Sequence, residues 1–109
     1  MSATAVNGDS TIDLDNSETN VTFTLTKPSG MQTIGVGVSN TNAFDITSNA
    51  KGRDWESNNL YYFNNLTSEE VPFTFTVTNN FETAGEYTVW FVGNYNNQEM
   101  RVETTITIV

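Results

Sequence analysis

Two stretches of this chain alternate apolar and polar residues with a period of two. In Val21-Thr22-Phe23-Thr24-Leu25-Thr26 the threonines fall between Val21, Phe23 and Leu25. In Val71-Pro72-Phe73-Thr74-Phe75-Thr76-Val77 the apolar set is Val71, Phe73, Phe75 and Val77. Successive side chains of a strand point to opposite faces of its sheet, so each stretch has one apolar and one polar face. A helix would scatter the same residues around its axis. No window of the chain offers a helical period, so the fold is expected to be all-β, with apolar sheet faces turned towards each other.

Weaker versions of the pattern recur along the chain. Thr11–Asp15 reads as an edge strand with Ile12 and Leu14 inward. Gln32–Val38 puts Ile34, Val36 and Val38 on one face and Thr33, Gly35 and Gly37 on the other. Ala43–Thr47 and Leu60–Phe63 read as short strands, and Met100–Val109 as a closing one. Lys27-Pro28-Ser29-Gly30, Ser48–Asn59 and Asn94–Gln98 have the composition of turns. Pro72 lacks a ladder donor and is expected at a strand start or an edge. Seven or eight strands separated by turn signals are the sequence signature of a sandwich. Residues 1–10 are small and polar and read as a flexible lead-in to a single domain spanning 11–109.

Thr83-Ala84-Gly85-Glu86-Tyr87-Thr88-Val89-Trp90-Phe91-Val92 combines a tight corner with a long strand. Gly85 frees the backbone at the corner. Tyr87, Val89 and Phe91 then alternate with Thr88, Trp90 and Val92. Thr83–Val89 resembles the tyrosine corner of immunoglobulin-like sandwiches, with Val89 at the position of the second core cysteine. Thr83 stands where that family has an acidic residue, and Ile34 or Val36 takes the place of its core Trp. The resemblance implies an antiparallel Greek-key sandwich in which the Tyr87 hydroxyl ties back to upstream backbone. It also implies that the strand bearing Trp90 lies beside the strand bearing Gly35 and Gly37. In general character the chain resembles the sandwich domains of bacterial adhesins and of archaeal surface or filament-associated proteins.

Composition narrows the function. Net charge is −9, and Lys27, Lys51, Arg53 and Arg101 are the only cationic side chains. Binding to phosphate backbones or anionic membrane surfaces needs clustered Lys and Arg, so neither nucleic acid nor a membrane is an expected partner. No apolar run is long enough to span a bilayer as a helix. The chain has no Cys and no His. That removes disulfides, thiol catalysis and a Ser-His-Asp triad, and disfavours structural zinc. No carboxylate sits in an apolar run that would raise its pKa for acid catalysis. The expectation is a non-catalytic module of a secreted or cell-surface protein, excised from a longer chain. Its roles would be structural or adhesive, as a spacer, filament or surface-layer unit contacting a protein partner or another copy of itself.

The alternative is a carbohydrate-binding module. By alternation Trp90 and Val92 point away from the core. With Trp55 and Tyr95, and extended by Tyr61 and Tyr62, they could form an aromatic platform for sugar faces or for a protein partner. The plainer reading is that Trp90 covers the glycines beside it. Asp13 and Asp15, with Asp9 nearby, form an oxygen-rich cluster of the kind calcium uses, without the EF-hand glycine or spacing. The plainer reading there is solvated turn carboxylates, and no cofactor is expected beyond this weak calcium candidate. Asn20-Val21-Thr22 and Asn65-Leu66-Thr67 match the glycosylation sequon.

Overall fold

A computed structural model describes residues 1–56, 58–79 and 81–109. Ser57, in the stretch read as a turn, lies outside the described residues. Among the described residues nine strands form: β1 (Ser2–Ala5), β2 (Thr11–Ile12), β3 (Asn20–Thr26), β4 (Ile34–Val38), β5 (Phe44–Ser48), β6 (Tyr61–Phe63), β7 (Glu70–Val77), β8 (Gly85–Tyr95) and β9 (Gln98–Ile108). They make a four-stranded sheet in the order β1-β3-β7-β5 and a five-stranded sheet in the order β2-β9-β8-β4-β6. The fold is all-β, and the inward faces of both sheets share one apolar core.

Both alternating stretches lie as their pattern dictates. Val21, Phe23 and Leu25 of β3 and Val71, Phe73 and Phe75 of β7 are buried, and the threonines between them are more exposed. Phe23 lies opposite Phe73 and Thr22 opposite Thr74, with their hydroxyl oxygens 2.8 Å apart on the outer face. Ring contacts run unbroken through the core from Phe81 to Tyr87, Phe44, Phe75, Phe91, Phe73, Phe63, Tyr61 and Trp55. Each such pair adds about 0.5–1.5 kcal/mol beyond the area it buries.

Three expectations need correction. Residues 1–10 are not all a loose lead-in: Ser2–Ala5 is a strand paired antiparallel with β3, and Ala3 and Ala5 pack on the core. The expected first strand stops at Ile12, because Leu14–Asn16 winds into a 3-10 turn capped by Asp13. The sandwich is not wholly antiparallel either, since β2 runs parallel to β9 with Thr11 opposite Thr107 and Ile12 opposite Ile108. One short N-terminal segment thus serves both sheets, β1 in the first and β2 in the second.

Pro72 lies inside a central strand, between β3 and β5. The even-numbered residues of β7 turn their backbone groups towards β5, as Thr78 N donating to Ala43 O shows. Pairing with β5 ends at Ser48 opposite Phe73, so the missing Pro72 N–H falls where that ladder closes. Ser48 Oγ instead donates to Pro72 O.

The middle strands alternate between the two sheets. Here β5 crosses first to pair with β7, and β6 then returns to pair with β4.

Candidate functional site

The corner forms at the start of β8. Gly85 adopts φ +148°, a conformation that L side chains rarely take. Tyr87 is buried, and its hydroxyl donates to Thr83 O at 2.7 Å. The far end of β8 closes in a two-residue turn. Asn96 and Asn97 both have positive φ, 53° and 65°, as a type I′ hairpin requires, and Tyr95 pairs with Gln98.

The outer face of the five-stranded sheet carries two of the residues singled out for binding, Trp90 and Val92. Trp90 lies opposite Gly37, and Val92 lies opposite Gly35. A Cβ added at Gly37 would land within the Trp90 indole. The Arg101 guanidinium lies over the same ring, 5.1 Å from its centre, and its Nη2 stands 2.9 Å from Glu103 Oε1. Trp90 is therefore half-buried, held between a glycine and a cation. Val92 is itself buried.

The other platform candidates do not join Trp90. Tyr95 has the inward parity of Tyr87, Val89 and Phe91. It sits beyond the end of the core, where its ring is the nearest neighbour to Gly30, and it is exposed. Trp55 packs edge-on against Tyr61, centroids 5.5 Å apart, beside Phe44 and Ile46. It closes the gap between edge strands β5 and β6. Tyr61 faces the core, whereas Tyr62 faces out opposite Gly35, with Arg53 over its ring at 5.1 Å.

Sequence reading missed a concave feature of that outer face. A groove of about 480 Å³ lies over Gly35, walled by Leu60, Tyr62 and Val92 and rimmed by Gln32, Thr33, Asn58, Asn94 and Glu99. Asn58 Nδ2 donates to the Tyr62 hydroxyl at 2.8 Å. The alternation around Gly35 signalled a covered glycine; the pairing with β6 that supplies Tyr62 spans a long polar segment and left no local signal.

The carboxylates near the first strand act as turn caps. Asp9 Oδ1 accepts from Thr11 N at 2.9 Å. Asp13 Oδ1 accepts from Asp15 N, its Oδ2 accepts from Asn16 Nδ2, and Glu18 Oε2 accepts from Asp13 N. The Asp15 side chain is exposed. Among the described residues no three Asp or Glu side chains converge as a cation site would need. Both sequon asparagines, Asn20 and Asn65, are exposed.

Lys27, expected at a strand end, is the one buried charged residue among those described. Its Nζ donates to Leu66 O at 2.7 Å. Burial pushes the ammonium below its ordinary pKa of 10.5, and Glu69 offsets part of that shift.

No protein-family model, no curated protein and no solved structure matches the chain.

Proposed function

We propose that this chain is a non-catalytic sandwich module of an extracellular or cell-surface protein, acting as a structural or adhesive unit through protein–protein contacts. The observation that carries the reading is the use made of Trp90. A surface indole that could serve as a sugar platform is committed to covering Gly37 and stacking with Arg101. The threonine-rich outer face of the other sheet and the acidic surface suit a module that stays folded and soluble in the open. Fold alone does not decide function, so the test is cellular. Antibodies raised against the domain should label intact source cells or their surrounding matrix. Labelling that requires permeabilisation overturns the reading.

One observation favours a second reading, saccharide binding, at a site other than the platform expected from sequence. The groove beside Tyr62 combines an aromatic wall, a glycine floor and amide side chains at its rim. That mixture of one apolar ring with convergent donors and acceptors suits a sugar face and its hydroxyls. Affinity electrophoresis through pooled polysaccharides decides it. Retardation abolished by Tyr62→Ala and Asn94→Ala supports saccharide binding, and unretarded wild type removes it.

A further inference from the structure

Strand β9 is paired along its whole length with β8, but on its other side only its last residues meet β2. Thr107 N donates to Ser10 O and Val109 N to Ile12 O. Odd-numbered residues of β9 therefore turn their backbone groups towards the open side. Continuing that parity backwards, Glu99, Arg101, Glu103 and Thr105 present N–H and C=O groups along an edge with which no other described strand pairs; β1 of the other sheet approaches β9 but bonds only to β3. All four side chains are exposed. An uncovered edge of this kind is a template for another strand.

The charges along it restrict which strand. Consider a second copy of β9 laid antiparallel across a two-fold axis at Val102. Arg101 then faces the partner's Glu103, Glu103 faces the partner's Arg101, and Glu99 faces the partner's Thr105. Each of these pairs joins odd with odd, so each is a hydrogen-bonded pair exchanging both backbone bonds. Moving the axis by one residue to Arg101 would set Arg101 against itself and Glu99 against Glu103. Moving it to Glu103 would set Glu103 against itself. Like charges directly opposite are destabilising, and opposite charges stabilise. Val102 is also the midpoint of the uncovered stretch, so this register uses all of it.

We infer that β9 is a self-pairing edge, joining two copies of the chain into one continuous sheet around a two-fold axis at Val102. The inference deepens the reading above by naming a second copy as a contact partner. In this arrangement Arg101 and Glu103, already 2.9 Å apart within one chain, become part of a four-charge array beside the two Trp90 rings.

Complementary charge reversal tests it by sedimentation equilibrium from micromolar to millimolar protein. Wild type should shift from monomer to dimer mass across that range. Arg101→Glu and Glu103→Arg should each stay monomeric, because each puts like charges opposite in this register. An equimolar mixture of the two variants should recover the dimer, because the side chains at positions 101 and 103 then face opposite charges across the axis. Circular dichroism checks that both variants fold, which the exposure of both positions favours. A monomeric wild type overturns the inference and assigns Arg101 and Glu103 to keeping the edge unpaired. A dimer that survives either single reversal overturns it too, including the register that pairs Arg101 with Glu99, which Glu103→Arg would leave intact. Neither failure touches the surface-labelling test of the module itself.

Discussion

The indole of Trp90 occupies the space that a side chain at Gly37 would need, directly across the β4–β8 pair. Gly37→Ala must therefore push the ring off the sheet, which also disturbs its contact with Arg101. Overpacking of this kind costs about 1–3 kcal/mol. Urea unfolding should show that loss, and acrylamide should quench Trp90 more strongly in the variant. Gly35→Ala is the control. Its Cβ would meet Tyr62, Leu60 and Val92 at 3.0–3.2 Å, so each neighbour has to give by only a few tenths of an ångström. Gly35→Ala should cost less than Gly37→Ala; the reverse order would contradict the packing described.

Tyr87→Phe isolates the corner bond. The ring stays in the core while the hydrogen bond to Thr83 O is lost. A net intramolecular hydrogen bond contributes about 0.5–1.5 kcal/mol. Thr83 is exposed, so its carbonyl can turn to water and the loss should fall near the low end. The urea midpoint should drop with the slope unchanged.

Phe75 touches Phe23, Phe44 and Phe91 edge-on and is fully buried. Phe75→Ala should cost about 3–5 kcal/mol, the range for deleting a core ring. A loss under 1 kcal/mol by chemical denaturation would mean that the core collapses into the gap.

Lys27 carries a pH signature. Its pKa in the folded chain lies below 10.5, first because burial disfavours the charge, with Glu69 acting the other way. Between the lowered value and 10.5 the unfolded chain holds more protons than the folded one. Stability contributed by this group therefore rises with pH across that window. Lys27→Met removes the titration and leaves Leu66 O without its donor, a loss of about 1–3 kcal/mol. The stability of wild type relative to Lys27→Met should grow as pH rises from neutral into the window. A flat or falling difference contradicts the assignment.

Asp13→Ala removes the acceptor used by Asp15 N and Asn16 Nδ2. A lost cap of this kind costs about 0.5–2 kcal/mol. The loss should be the same with calcium and with a chelator, because the carboxylate serves the turn. A melting temperature that rises with calcium only in wild type would instead make Asp13 a ligand.

Where burial is set by neighbours in sequence, it was readable. Val21, Phe23, Leu25, Val71, Phe73 and Phe75 take their faces from alternation alone, and Gly85 and Tyr87 mark their corner within a few residues. The covering of Gly37 by Trp90 could be posed as a question because both sit on regular strands. What escaped depends on partners distant in the chain. Ser2–Ala5 is too short and polar to announce a strand, and only β3 makes it one. Ile12 gives no hint that its neighbour Ile108 runs in the same direction. Lys27 follows a clean strand and precedes Pro28, so its charge reads as a surface terminus until Leu66 is placed over it. Trp55 belongs to a polar stretch and Tyr62 to a short strand, and the partners of both are fixed only by β4 and β5.

The parallel pairing of β2 with β9 has a mechanical consequence. Once β1 has been drawn off β3, tension through the domain pulls β2 towards its start and β9 towards its end. For parallel neighbours those directions oppose each other along the strand axis, so the strands must slide rather than peel. The bonds at Ser10, Ile12 and Leu14 then share the load and give way together instead of one after another. A link of two paired residues, placed where the chain enters and leaves the sheet, would act as a clamp in a protein held under strain.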